Sequence, residues 1–148
     1  MTTVSDGRPS DPMVLRGRVC SGKGDAARWL GTFNDAYARK TGMPVFPGSL
    51  NVALDSPFDW SARGIQDWII LFGGAEFGGE RDILMLPCKL PSLGSLRAFL
   101  WITTNAVTES ARQDIVEIIT SVGLRDACGL RDGDLVEIEI LSDPGSKE

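Results

Sequence analysis

Histidine is absent from the 148-residue chain. With it go Ser-His-Asp and Cys-His nucleophilic systems, HExxH zinc sites and every imidazole general base. Any chemistry must rest on carboxylates, hydroxyls, amides, lysine, backbone N–H groups or a borrowed metal ion. Cysteine is sparse: Cys20, Cys88 and Cys128 are odd in number, far apart and without CxxC spacing. That pattern argues against a disulfide framework or a zinc site and fits a reducing cytoplasm. Long apolar runs are missing as well. Stretches such as Trp68 to Phe72 fall far short of the roughly 20 residues needed to cross a bilayer as a helix, and Met1 to Pro12 carries Asp6, Arg8 and Asp11 in place of an apolar signal segment. Positive charge is in deficit, with 15 Lys and Arg against 20 Asp and Glu, a net charge of −5 and a pI near 4.7. Bulk charge therefore draws no DNA or RNA backbone, and neither a nucleic-acid partner nor a membrane is expected.

What the chain does have is 43% hydrophobic residues, 17 glycines and 8 prolines, enough for one cored domain of short strands punctuated by turns. The polar segments 1–12 and 142–148 read as disordered tails around a folded unit at 13–141. Val14 to Cys20 alternates as a strand and runs into the glycine-rich Ser21-Gly22-Lys23-Gly24-Asp25. Thr32-Phe33-Asn34-Asp35 matches a capping box and predicts a short amphipathic helix through Phe33, Ala36, Tyr37 and Lys40, stopped by Gly42. After Pro47-Gly48 a strand places Leu50, Val52 and Leu54 on one face and Ser49, Asn51 and Ala53 on the other. Further strands are expected at Asp67 to Phe72, Asp82 to Lys89, Arg97 to Thr103 and Ile115 to Ile119. Asp132-Gly133-Asp134 predicts a turn before the alternating Leu135 to Leu141. Many short strands with few helices point to a small β-barrel, which removes free edges by closing on itself.

Four features carry chemical interest. Gly17 to Gly24 satisfies GxxxxGK, but Gly24 replaces the metal-reaching Ser or Thr and no βαβ pattern surrounds it, so a P-loop is rejected. Ser21 to Ala26 remains either a plain hairpin loop or a loop whose small residues expose N–H groups to a polyanion, with Lys23 adding charge. Ser49 and Asn51 share one strand face about 7 Å apart, as neutral oxygen ligands suited to Mg²⁺ once phosphates complete the shell, or as an ordinary polar face. Glu117 sits among β-branched residues and needs a partner: a ligand hydroxyl or N–H, a backbone amide, or Arg125. Trp29, Trp60, Trp68 and Trp101 are candidates for stacking on a flat ring, though core packing explains such residues as well.

Read together in order, Leu15-Arg16-Gly17-Arg18-Val19-Cys20-Ser21-Gly22-Lys23-Gly24-Asp25-Ala26, Phe46-Pro47-Gly48-Ser49-Leu50-Asn51-Val52-Ala53-Leu54, Asp114-Ile115-Val116-Glu117-Ile118-Ile119, Gly123-Leu124-Arg125 and Leu130-Arg131-Asp132-Gly133-Asp134 resemble the archaeal-type CTP-dependent riboflavin kinases. The resemblance implies a mainly β fold, a six-stranded cradle-loop (RIFT-like) barrel with one or two short helices. It also implies transfer of the γ-phosphoryl group of CTP to the 5′-hydroxyl of riboflavin, giving FMN and CDP with Mg²⁺. Nucleotide contacts then fall on Gly22, Lys23, Gly24, Asp25, Ala26 and Ala27 and on Val122, Gly123, Leu124 and Arg125. Metal ligands fall on Ser49 and Asn51, and flavin contacts on Glu117 and Thr108, with Glu117 as the proton acceptor and Asp25 as its rival. A cytoplasmic monomer is expected. The chain departs from the family pattern at Ala26 (usually glycine), Ser49 (usually threonine), Ser121 (often proline) and Gly123 (basic in some members), and lacks a histidine after Thr108. A flavin- or nucleotide-binding sensor, or a kinase of changed donor or acceptor, uses the same barrel and is the alternative reading.

Overall fold

In the computed structural model the residues described are 13–21, 30–78 and 81–140. The expected tails, the loop residues Gly22 to Ala27 and Trp29 lie outside them. The strands are β1 (Met13–Cys20), β2 (Leu50–Asp59), β3 (Ile70–Phe72), β4 (Ile83–Leu90), β5 (Leu96–Thr103), β6 (Arg112–Thr120) and β7 (Leu135–Ile140). They form one antiparallel sheet in the order β3-β4-β5-β6-β2-β1-β7, and a further β4–β7 pairing, Cys88 opposite Ile140, closes it into a six-stranded barrel. β3 lies outside the ring, paired with β4 alone. Among the described residues no helix is long and apolar enough to cross a membrane.

Alternation sorts side chains between the inside of the barrel and its outer face. Leu50, Val52, Val116, Ile118, Leu86, Leu100, Val136 and Ile138 fill the interior. Each such aliphatic side chain contributes about 1.5–3 kcal/mol on burial. Outside, a second apolar cluster of Leu30, Tyr37, Val45, Phe72, Ile83, Met85, Phe99 and Ile119 roofs part of β4, β5 and β6. Helix α1 (Asn34–Thr41) supplies Tyr37 to that roof, where its ring meets Phe72 edge-on at 5.1 Å. Arg97 of β5 donates to the Thr41 carbonyl at 3.0 Å and ties down the C-terminal end of α1.

Gly42 ends α1 in the left-handed region at φ 75°, its N–H donating to Ala38 O. The expected capping box does not form. Phe33 occupies the N-cap position without a cap hydrogen bond; the Asn34 side chain donates to Val45 O at 2.6 Å, bracing the loop beyond the helix. The strand expected from Asp67 to Phe72 is shortened to β3, because Arg63–Trp68 coils as a 3₁₀ helix held by Gln66, whose amide donates to the carbonyls of Trp60 and Ala62. Short helices α2 (Gly74–Phe77), α3 (Thr104–Glu109) and α4 (Leu124–Cys128) also occur among the described residues. Each is too short to leave a periodic apolar signature. The Asp132-Gly133-Asp134 turn forms as expected, with Gly133 at φ 91° and its N–H donating to Val19 O. Burial pushes the Cys88 thiol up to about 12, and all three cysteines are free.

Gly17 is required by strand approach rather than by backbone conformation: a Cβ there would collide with the carbonyl oxygen of Ala53 and lie 2.8 Å from Val52 Cγ1. Gly17→Ala is expected to cost about 1–3 kcal/mol, read as a lower denaturation midpoint with unchanged slope. An unchanged midpoint would show that β1 and β2 separate without cost.

Candidate active site

The β2–β6 ladder sets Asn51 opposite Glu117, and the β5–β6 ladder sets Trp101 on the other side of Glu117. Leu50, Val52, Val116 and Ile118 point inward, so Asn51 and Glu117 share the outer face. Along β6 that face passes from Ile115, 51% exposed, through half-buried Glu117 to Ile119, 0% exposed beneath the second cluster. Glu117 therefore sits on the seam between solvent and an apolar roof. The Ser49 hydroxyl donates to Glu117 Oε1 at 2.8 Å. That is the partner its setting demanded; Arg125, the basic side chain considered for the role, is engaged elsewhere.

Two clefts meet at this hydrogen bond. One, of about 230 Å³, is lined by Phe46, Gly48, Ser49, Thr120 and the 122–126 segment. The turn after β6 is shaped by the Thr120 hydroxyl, which donates to Val122 O at 2.7 Å and accepts from Val122 N at 3.0 Å. Buried Leu124 anchors the segment from below. Arg125 borders the cleft and is held by Asp132: its Nη2 donates to Asp132 Oδ1 at 2.6 Å and to Cys20 O at 3.3 Å, while Ser21 Oγ donates to Asp132 Oδ2 at 2.7 Å. The other cleft, of about 190 Å³, is lined by Glu117, Trp60, Trp101, Thr103 and Ala106 among others.

The structure thus brings Ser49, Asn51, Glu117 and Val122 to Arg125 into one region built from two strands and a turn. Thr108 behaves differently. It is exposed on α3, with its hydroxyl donating to Thr104 O at 3.0 Å, and Thr103 and Ala106 line the cleft in its place. Sequence reasoning also passed over Phe46, a residue 41% exposed that lines the first cleft. Its signal was available only as an aromatic next to a Pro-Gly turn.

A family model described as "Domain of unknown function DUF120", with a short name denoting CTP-dependent riboflavin kinase, matches residues 19–140. The chain belongs to the CTP-dependent riboflavin kinase family. It is 33% identical over 136 residues to a riboflavin kinase of Pyrobaculum arsenaticum, covering 86% of this chain and 60% of that protein. It is also 33% identical over 136 residues to a riboflavin kinase of Ignicoccus hospitalis, covering 87% and 72%, and 26% identical to one of Staphylothermus marinus, covering 89% and 95%. The chain spans about three fifths of the length of the Pyrobaculum relatives it matches.

Family membership gives the departures a physical setting. Ser49 keeps the hydroxyl that a threonine would present. At residue 123 a Cβ would lie 2.8 Å from Phe46 Cζ, so the Phe46 ring occupies the space that a longer side chain needs. Ala26 lies outside the described residues.

Asp132 joins the turn before β7 to the cleft, and its carboxyl is held below the ordinary value of 3.8, first by the Ser21 hydroxyl and then by Arg125. A depressed folded-state pKa gives stability that is present above the unfolded value and is lost as pH falls through the folded one. Melting curves should therefore show Asp132→Asn below wild type at neutral pH and converging with it below about pH 4. Parallel curves across that range would refute the coupling.

Proposed function

We propose that this chain transfers the γ-phosphoryl group of CTP to the 5′-hydroxyl of riboflavin, giving FMN and CDP. The observation that carries the reading is the Ser49–Glu117 hydrogen bond at the junction of two clefts. A phosphate-side group there touches an acceptor-side carboxylate, within a family whose relatives are named riboflavin kinase. In this reading the cleft at 122–126, with the Gly22 to Ala27 loop, takes the nucleotide. The cleft beside Glu117 takes the flavin, with contact to Thr108 requiring its hydroxyl to leave Thr104. Residues 13–141 act as the kinase unit in the cytoplasm, a compartment that suits three free cysteines.

The donor set fits Mg²⁺. A serine hydroxyl has one proton and two lone pairs, so donating to Glu117 leaves Ser49 oxygen density for a cation, and the Asn51 amide oxygen belongs to the same face. Hard oxygen donors that are few and mostly neutral suit Mg²⁺ when nucleotide phosphates complete its shell. Ser49 and Asn51 would hold the ion, which neutralises charge on the phosphates when bound. The remaining work belongs to the chain. Phosphoryl transfer asks for positioning and charge neutralisation more than for a protein nucleophile, which reconciles the activity with a chain lacking histidine. Glu117, fixed by Ser49, takes the proton of the 5′-hydroxyl as that oxygen bonds to the γ-phosphorus. The bond from the γ-phosphorus to the β,γ-bridging oxygen breaks, and CDP departs.

Purified protein with riboflavin, Mg²⁺ and each of the four nucleoside triphosphates is expected to form FMN fastest with CTP. Equal turnover with ATP would remove the donor assignment, and flavin binding without turnover would favour a sensor. Glu117→Gln keeps shape but not charge and should lower the rate by about 10² to 10⁴ at unchanged melting temperature. A purely structural carboxylate would reverse that pattern. Asn51→Ala, on the outer face, should weaken nucleotide binding in the presence of Mg²⁺ and leave metal-free binding nearly unchanged. Calorimetric titration at several Mg²⁺ concentrations measures the difference, and identical Mg²⁺ dependence in variant and wild type removes Asn51 from the metal site.

A further inference from the structure

Two of the residues that line the cleft beside Glu117 carry a hydrogen-bond donor with no partner among the described residues. Trp60, just beyond β2, and Trp101, within β5, both line it, and the indole nitrogen of each is buried without a partner. Buried N–H groups are rarely left unpaired in native proteins, because the lost hydration is not returned. Two of them, on residues that line one cleft of about 190 Å³, are donors that a ligand carrying acceptors would pair. Trp60 is 3% exposed, and its main chain is fully engaged: its N–H donates to Ala111 O at 2.9 Å and its carbonyl accepts from Gln66. Its ring meets Phe58 edge-on at 5.3 Å, and only the indole N–H lacks a partner among the described residues. Trp101 is the ladder partner of Glu117, so its donor belongs to the same row as the carboxylate.

Resting on the assignment of this cleft to the flavin, we propose that Trp60 and Trp101 donate their indole N–H groups to the acceptor edge of the isoalloxazine ring, its carbonyl oxygens and ring nitrogens. The pair then selects a flat ring that carries acceptors and fixes its orientation relative to Glu117. Both nitrogens are shielded in the free protein, so each indole turns toward the cleft as the ring enters, while the paired backbones on either side stay in place. An apolar ring of the same size leaves both donors unpaired and binds more weakly.

The test uses wild-type protein labelled with ¹⁵N and titrated with riboflavin, alongside flavin-fluorescence binding curves for wild type, Trp60→Phe and Trp101→Phe. The assigned indole N–H signals of Trp60 and Trp101 are expected to move downfield and to exchange more slowly with solvent. Each Phe variant should lose about 5- to 10-fold in riboflavin affinity, the worth of one neutral hydrogen bond, with CDP affinity unchanged. Riboflavin binding that leaves both indole signals in place overturns the proposal, and this outcome stands even if a Phe variant fails to fold. Wild-type protein that binds CDP but no riboflavin overturns the flavin assignment on which the proposal rests.

Discussion

The register between β2 and β6 is the constraint on which the site depends. With Asn51 opposite Glu117 and Leu50 opposite Ile118, the inward pair enters the barrel core and the outward pair forms the polar row. A slip of one residue would exchange the two sets, sending an amide and a carboxylate into an apolar interior where neither has a partner. The energy that fixes the register comes from the core, since Val52, Val116 and Ile118 are all buried, and the chemistry on the other face inherits it. The Ser49–Glu117 hydrogen bond is thus a consequence of hydrophobic packing on the opposite side of the same two strands.

Barrel closure alone would leave that outer face in water. The second apolar cluster, roofed by Tyr37 and its neighbours and secured by Arg97 on the Thr41 carbonyl, covers one end of β6 and stops short of Glu117. A carboxylate in full solvent would be an ordinary acid, and one buried under the roof would carry a large desolvation cost. At the seam it keeps a hydrogen-bonded partner and opens onto a cleft. The two clefts differ in their walls. One is bounded by a turn, two glycines and Arg125; the other is bounded by two indoles and Glu117.

Arg125 illustrates how remote parts of the chain converge. Its guanidinium is held by Asp132, which Ser21 also holds, so the end of β1, the turn before β7 and the segment after β6 meet at one carboxylate. Phe46 does the same by shape. Its ring fills the space above Gly48 and Gly123, coupling the approach to β2 with the 122–126 segment.

Alternation by itself determined the strands of the barrel, the inward faces of β2 and β7, the Asp132-Gly133-Asp134 turn and the Gly42 stop, because each is written in a few adjacent residues under period-two or helix-end rules. The family likeness supplied Ser49, Asn51 and Glu117 as one group, although spacing alone left each with a plainer explanation. Other features were not legible. Where the helix begins depended on how the chain enters it, with Phe33 rather than Thr32 at the N-cap, and the 3₁₀ turn that shortens β3 depended on Gln66 reaching Trp60. Trp101 and Thr103 alternate plainly in β5, but their place beside Glu117 follows from a register between strands that no local pattern encodes. Local chain geometry fixes which way a side chain points; only the packing of distant strands fixes what it points at.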